Sequence, residues 1–237
     1  MRYTMDPNSV SAITEATYWG IWLQFMQTIA ICLASGVAIY GVESWRREFT
    51  GKRRIELAED VLVLFYEAKD AIKFIRSPLG FIGEGSTRER GEDETPEQTR
   101  ARNLAYVAIE RYEKKREIFG KLGSLRYRFW AQIGRDKAEP FNEIKNVMDD
   151  IFGASRRLAR RWERRSQISR PTELEALSEE IRRYEAIFWF GEEDDKIGER
   201  VEKAVSQMED TCSNIIMRKS PHKKAKAMGK GNKENLK

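Results

Sequence analysis

The chain has 237 residues, 34% charged and 41% hydrophobic, with a net charge of +5. With one histidine, His222, and two cysteines, Cys32 and Cys212, it has no means of building a Ser-His-Asp or Cys-His centre, a zinc cage, a Glu-x-x-His di-iron site or a disulfide framework. The charged fraction exceeds the roughly 25% of ordinary soluble domains, and the apolar residues are concentrated early, so the chain divides into segments of different kind.

No residue in 16–42 is charged. As a helix, residues 19–42 reach roughly 36 Å at 1.5 Å per residue, enough to cross a hydrocarbon core of about 30 Å. Ile21, Leu23, Phe25, Ile29, Ile31, Leu33, Val37, Ile39 and Val42 favour insertion by on the order of 3–5 kcal/mol, and Gln24 and Gln27 oppose it. Tyr18, Trp19 and Trp22 at one end, and Tyr40 and Trp45 at the other, suit headgroup level. The competing readings are a buried helix of a soluble protein and a cleaved signal peptide. The first is disfavoured by the length of the uncharged run, the second by the lack of a leading basic cluster and of a small-residue cleavage site. The expectation is therefore one transmembrane helix over 19–42 after a short extracytoplasmic tail over 1–18.

Before this segment only Arg2 is basic; after it come Arg46, Arg47, Lys52, Arg53 and Arg54. The positive-inside rule places the N-terminus outside and the remainder in the cytoplasm, and a bacterial inner membrane is the expected host. Gly20, Gln24, Gln27, Ile31, Ala34, Ala38 and Gly41 recur at steps of four and three, mostly small or amide-bearing. Small residues let helices approach and amides bond across an interface in lipid, at about 0.6 kcal/mol each. This seam predicts a homo-oligomer.

Residues 43–219 read as a helical bundle. Leu57, Val61, Leu64, Ala68, Ala71 and Ile75 share one face of a helix that could continue from the span, with Gly51 the expected place for a break and Ser77-Pro78 the end. Residues 78–96 form a loop, polar and glycine-rich from 83 onward, expected to be mobile. Thr95, Pro96 and Gln98 make a capping box with proline at the first helical position. The helix they open carries Leu104, Ala108, Ile118, Leu122, Leu125, Phe129 and Ile133; Gly120 and Gly123 predict a kink or a close helix contact in it. A third helix starts near Pro140 with Phe141, Ile144, Met148, Ile151, Ser155, Leu158 and Trp162 on one face. Thr172 with Glu175 predicts a second capping box, opening a helix with Leu174, Leu177, Ile181, Tyr184 and Phe188 that closes at Gly191. A fifth begins among Glu192, Glu193, Asp194 and Asp195, whose charges suit a helix N-terminus. It carries Ile197, Val201, Ala204, Met208, Cys212 and Ile215. The fold class is thus all-α: a transmembrane helix followed by a cytoplasmic antiparallel bundle or, on the same 3-4 spacing, a coiled coil. The tail over 220–237 is expected to be disordered.

Motifs for chemistry are sparse. Gly80, Gly83 and Gly85 follow a helix and precede no Gly-Lys-Ser/Thr, so they read as a loop and not a phosphate cradle. Asp149-Asp150 and Glu179-Glu180 point different ways on a helix, and Cys212 continues an apolar stripe. No cofactor or metal is expected. The strongest remaining signal is charge. Arg156, Arg157, Arg160, Arg161, Arg164, Arg165 and Arg170 crowd one helix, opposed within it by Glu163, and an acidic stretch follows over 173–195. Either the two blocks pair, or the arginines face an anionic lipid or acidic partner. The tail adds Lys223, Lys224 and Lys226 among other lysines. Nucleic acid is disfavoured because Trp162 lies on the core seam and supplies no stacking platform.

These readings lead to a non-enzymatic, membrane-anchored scaffold that binds a cytoplasmic protein. An alternative is an oligomeric effector that permeabilises the bilayer, with Gln24 and Gln27 facing a lumen. Replacing both by leucine separates the two, because it abolishes ion leakage in the second case alone. A third reading, an enzyme with an unusual carboxylate site, would rest on Asp149 and Asp150.

Overall fold

The computed structural model describes residues 7–80, 83–165, 167–191 and 194–217, with side chains from residue 20 onward. Tyr18, Trp19, Glu192, Glu193, Lys223, Lys224, Lys226 and the expected disordered tail lie outside the described side chains or residues. Among the described residues the regular elements are five α-helices and one 3-10 turn, with no strand. They are α1 (Pro7–Ile75), α2 (Pro96–Gln132), the turn Asp136–Ala138, α3 (Glu139–Arg165), α4 (Pro171–Phe188) and α5 (Lys196–Ile216). The chain divides into two compact units, Met1–Arg53 and Arg54–Lys237.

The first unit is helical over its described residues, and its side chains from Gly20 to Val42 are exposed. The helix continues without a break through Gly51, where the sequence places an interruption. Glycine costs roughly 1 kcal/mol in a helix interior. The turns before it are bound by their own side chains: Glu43 pairs with Arg47 at 3.3 Å, and Trp45 stacks on Phe49 at 5.8 Å.

The second unit is organised around α3, which packs against α2, α4 and α5. The predicted faces of α1, α3 and α5 are largely the observed ones, whereas Leu104 on the predicted face of α2 is 44% exposed and Trp162 and Ile215 are half-buried. Phe141, Ile144, Met148, Ile151, Ser155 and Leu158 of α3 are buried, as are Leu57, Val61, Leu64, Ala68, Ala71 and Ile75 of α1 and Ile197, Val201, Ala204, Met208 and Cys212 of α5. Each buried Leu, Ile or Phe contributes about 1.5–3 kcal/mol. Three rings cross the centre: Phe141 lies 5.0 Å from Phe65 and 5.5 Å from Phe129. Ser155, the polar member of the α3 face, donates its hydroxyl to the carbonyl of Ala105 at 2.7 Å, which removes the penalty of burying it.

The start of α2 follows the predicted chemistry. The Gln98 N–H donates to Thr95 Oγ1 at 3.3 Å, and the Thr95 N–H donates to Gln98 Oε1 at 3.0 Å. Thr95→Ala removes the first bond and will lower stability by about 1 kcal/mol, read as a lower urea midpoint at unchanged slope. An unchanged midpoint would show the cap to be dispensable. Two other expectations fail. α2 is continuous across Gly120 and Gly123, and a Cβ at either would meet nothing within 4 Å, so no helix is packed closely there. The capping box at Thr172 and Glu175 is also absent: Arg170 is the N-cap, Pro171 occupies the first turn, and no side chain caps it. The fixed φ of proline and its missing N–H suit the first helical position, which draws Thr172 inside the helix. α4 then ends at Phe188 with Trp189 as C-cap, short of Gly191. In α5, Asp195 is the N-cap and accepts from the Gly198 N–H at 3.0 Å.

Candidate functional site

Four features could carry function: the apolar face of α1, the arginine face of α3, the loop before α2 with the buried arginines behind it, and the clefts beside α2. On α1, the predicted seam residues Gly20, Gln24, Gln27, Ile31, Ala34, Ala38 and Gly41 are all exposed. Thr28 donates its hydroxyl back to the Gln24 carbonyl at 2.9 Å, a bond that keeps this side chain satisfied without water. Cys32 is exposed on the same helix.

The expected pairing of charge blocks is realised at two points, one of them Arg170, which lies beyond α3 as the N-cap of α4 and pairs with Glu173 at 3.0 Å. Arg161 donates to Glu180 at 2.7 Å, and Trp162 Nε1 donates to Glu185 at 3.2 Å. Arg157 and Arg161 also lie over the Tyr184 ring, at 5.5 and 4.7 Å. Arg156, Arg160, Arg164 and Arg165 are exposed and have no ion-pair partner among the described residues. Arg156, Arg160 and Arg164 recur every four residues and so form a row along the helix. Glu163 pairs with Arg102 of α2.

Composition predicts a mobile loop before α2; its described residues are irregular but bonded to that helix. Glu94 is buried and receives Arg88, Arg102 at 2.8 Å, the Gly91 N–H at 3.1 Å and the Thr99 hydroxyl at 3.3 Å. Arg88 in particular holds its carboxyl far below the usual carboxylate range, against the opposing effect of burial. Gly85 sits at φ +81° with its N–H donated to Glu110 at 2.7 Å, and a Cβ there would fall on the backbone carbonyl of Asn103. Both the left-handed conformation and the close approach require glycine.

Behind the loop lie two arginines that the sequence analysis did not single out. Arg111 is 1% exposed. It pairs with Glu84 at 2.6 Å and donates to the carbonyls of Ser77 and Leu79 at 2.6 and 2.8 Å. Arg76, also 1% exposed, binds both carboxylate oxygens of Asp195 at 2.8 Å and the carbonyls of Ala186, Ile187 and Trp189 at 2.7–3.0 Å. Each guanidinium thus supplies donors to the unsatisfied carbonyls at or just beyond a helix C-terminus, α1 for Arg111 and α4 for Arg76. The signal in the sequence was a basic residue beside the end of an apolar face, Arg76 next to Ile75.

Two clefts flank α2. One, of about 510 Å³, lies between α2 and α3 and includes Tyr112, Phe119 and Phe152. The second, of about 970 Å³, lies between the second-unit part of α1 and α2, with Val63, Leu64 and Leu125 between charged walls. Gly120 lines both, so the absence of a side chain there leaves both open. Among the described residues no group of His, Cys, Asp and Glu could hold a metal ion. Asp149 is held by Lys145 at 2.6 Å and Asp150 by Arg200 at 2.8 Å, so each carboxylate already has its own cation. Burial pushes the Cys212 thiol up to about 11, which makes it a packing residue and a poor nucleophile. No family model, curated protein or solved structure matches this chain.

Proposed function

We propose that this protein is a membrane-anchored, non-enzymatic interaction protein whose helical unit, an antiparallel bundle, stands at the cytoplasmic face. The observation that carries the reading is the uncovered apolar surface of α1. Leu23, Leu33, Val37, Ile39 and Val42 are 65–73% exposed, on a helix long and apolar enough to cross a bilayer. Contiguous apolar surface of that extent needs a cover, and lipid provides one for a helix whose backbone bonds are internally satisfied. Arg46, Arg47, Lys52, Arg53 and Arg54 then mark the cytoplasmic side. The arginine row of α3 offers planar, bidentate donors to an acidic protein partner or to anionic headgroups.

The test is extraction and topology. Full-length protein expressed in a bacterium will remain in the membrane pellet after carbonate washing. A cysteine introduced by Asn8→Cys will react with an impermeant maleimide on intact cells stripped of their outer membrane. One introduced by Glu173→Cys, on an exposed position of α4, will react only after lysis. Release by carbonate overturns the anchor, and reaction of Glu173→Cys from outside overturns the orientation.

A further inference from the structure

We infer that the cleft between α1 and α2 in the second unit is a self-association surface, in which the α1 wall of one copy meets the α2 wall of a second. The two walls differ in charge. Glu59, Asp60 and Glu67 line the α1 side, with no basic residue among them. Arg116, Lys121 and Arg128 line the α2 side with Glu117. Arg116 is bound to Glu113 at 3.5 Å and Lys121 to Glu117 at 2.7 Å, which leaves Arg128 as this wall's unpaired cation among the described residues. Among the described residues Glu59, Asp60 and Arg128 have neither an ion-pair nor a hydrogen-bond partner. Between the walls Val63 is 58% exposed, and Gly120 adds no side chain to obstruct an incoming helix.

The levels of the two walls are fixed by contacts within one copy. Arg111 of α2 binds the carbonyls of Phe74 and Ile75, and Lys121 lies within electrostatic reach of Glu67. Ascending numbers on α2 therefore run against descending numbers on α1, which puts Glu67 level with Lys121 and Asp60 level with Arg128. A ligand of one charge would be attracted by one wall and repelled by the other. A second copy rotated by 180° about an axis parallel to the cleft meets no such conflict: each acidic wall faces a basic wall, level with level. A twofold axis across the cleft would instead set acid against acid. This charge match does not depend on the anchored reading proposed above.

The test uses two full-length chains with different tags, both carrying Cys32→Ala and Cys212→Ala, one with Val63→Cys and the other with Ser124→Cys. Co-expressed and oxidised, they will form a disulfide-linked heterodimer, because a link between chains with one cysteine each can arise only between copies. Asp60→Lys alone, or Arg128→Glu alone, placed in both chains will reduce the heterodimer about fivefold through like-charge contact. The two together will restore it, since the walls are then exchanged in both copies. Circular dichroism melts of each variant separate loss of association from loss of folding. Crosslinking is read in whichever fraction retains the protein after carbonate. A heterodimer that the double reversal rescues establishes the surface. Absence of the heterodimer from folded protein, capture of a different host protein in its place, or failure of rescue overturns it. Absence of the protein from the membrane fraction overturns the anchor alone.

Discussion

Exchanging Arg111 for methionine will destabilise the helical unit by about 3–5 kcal/mol, the range for removing one partner of a buried ion pair. The loss arises on both sides of the guanidinium. Glu84 is 6% exposed in its side chain, and its charge would be left without its principal counter-ion. Lys114 also lies near it, at 3.9 Å with its side chain 51% exposed, and offers a weak replacement. The carbonyl of half-buried Ser77 loses its donor at 2.6 Å as α1 ends, and that of exposed Leu79 loses one at 2.8 Å but keeps the Ser77 hydroxyl at 3.4 Å, so these bonds add a smaller share than the charge. The double variant Arg111→Met with Glu84→Met will recover part of the loss, since no buried charge then remains unpaired. Recovery will be incomplete because the Ser77 carbonyl stays without the donor that Arg111 gave it. Urea midpoints at constant slope measure all three proteins. A single-variant loss under about 1 kcal/mol, or a double variant no better than the single, would show that the pair does not hold the end of α1.

The contrast between this residue and the helical faces explains what could be read from the chain. Periodicity is a local property, and the stripes of α1, α3 and α5 bury the residues their spacing selects, because one core lies on one side of each helix. Thr95 is legible for the same reason: its partner Gln98 is three residues away. Arg111 and Arg76 are not, since their partners lie between 27 and 119 residues off, and the one local signal, Arg76 beside Ile75 at the end of an apolar face, does not identify those partners. The box at Thr172 fails because its spacing is right but Pro171, at the first helical position, sets the N-cap two residues earlier, at Arg170. Gly120 and Gly123 predict a kink or a close contact, yet their effect is to leave clefts open beside a continuous helix. The charge blocks of α3 and α4 are visible as blocks. That only Arg161 finds Glu180, while Arg156, Arg160 and Arg164 face outward, depends on a helix rotation that composition does not encode.

The second large effect belongs to Asp195, and it carries a pH signature. Asp195→Asn keeps a side chain suited to the N-cap of α5 but removes the charge opposite Arg76, leaving a guanidinium that is 1% exposed without its counter-ion. The expected loss at neutral pH is about 3 kcal/mol, the lower end for breaking a buried pair, because the carbonyls of Ala186, Ile187 and Trp189 still accept from Arg76. Burial acts to raise the Asp195 pKa, but the bonds from Arg76 and the Gly198 N–H, with the charge of Arg76, outweigh it and hold the carboxyl below its usual value. A carboxyl depressed in the folded state stabilises above its unfolded pKa of about 3.9 and loses that contribution as the pH falls through the folded value. The gap in stability between the parent and Asp195→Asn will therefore be constant from about pH 5 to 8 and will close as the pH drops below about 4. Other carboxylates, Glu94 among them, titrate in the same acid range, but they are common to both proteins and cancel in the difference. Urea midpoints of the pair at successive pH values read the gap directly. A gap that persists undiminished into strong acid would mean that the substitution costs shape rather than charge. The Arg76 contact would then fasten the end of α1 to the end of α4 through its carbonyl bonds alone.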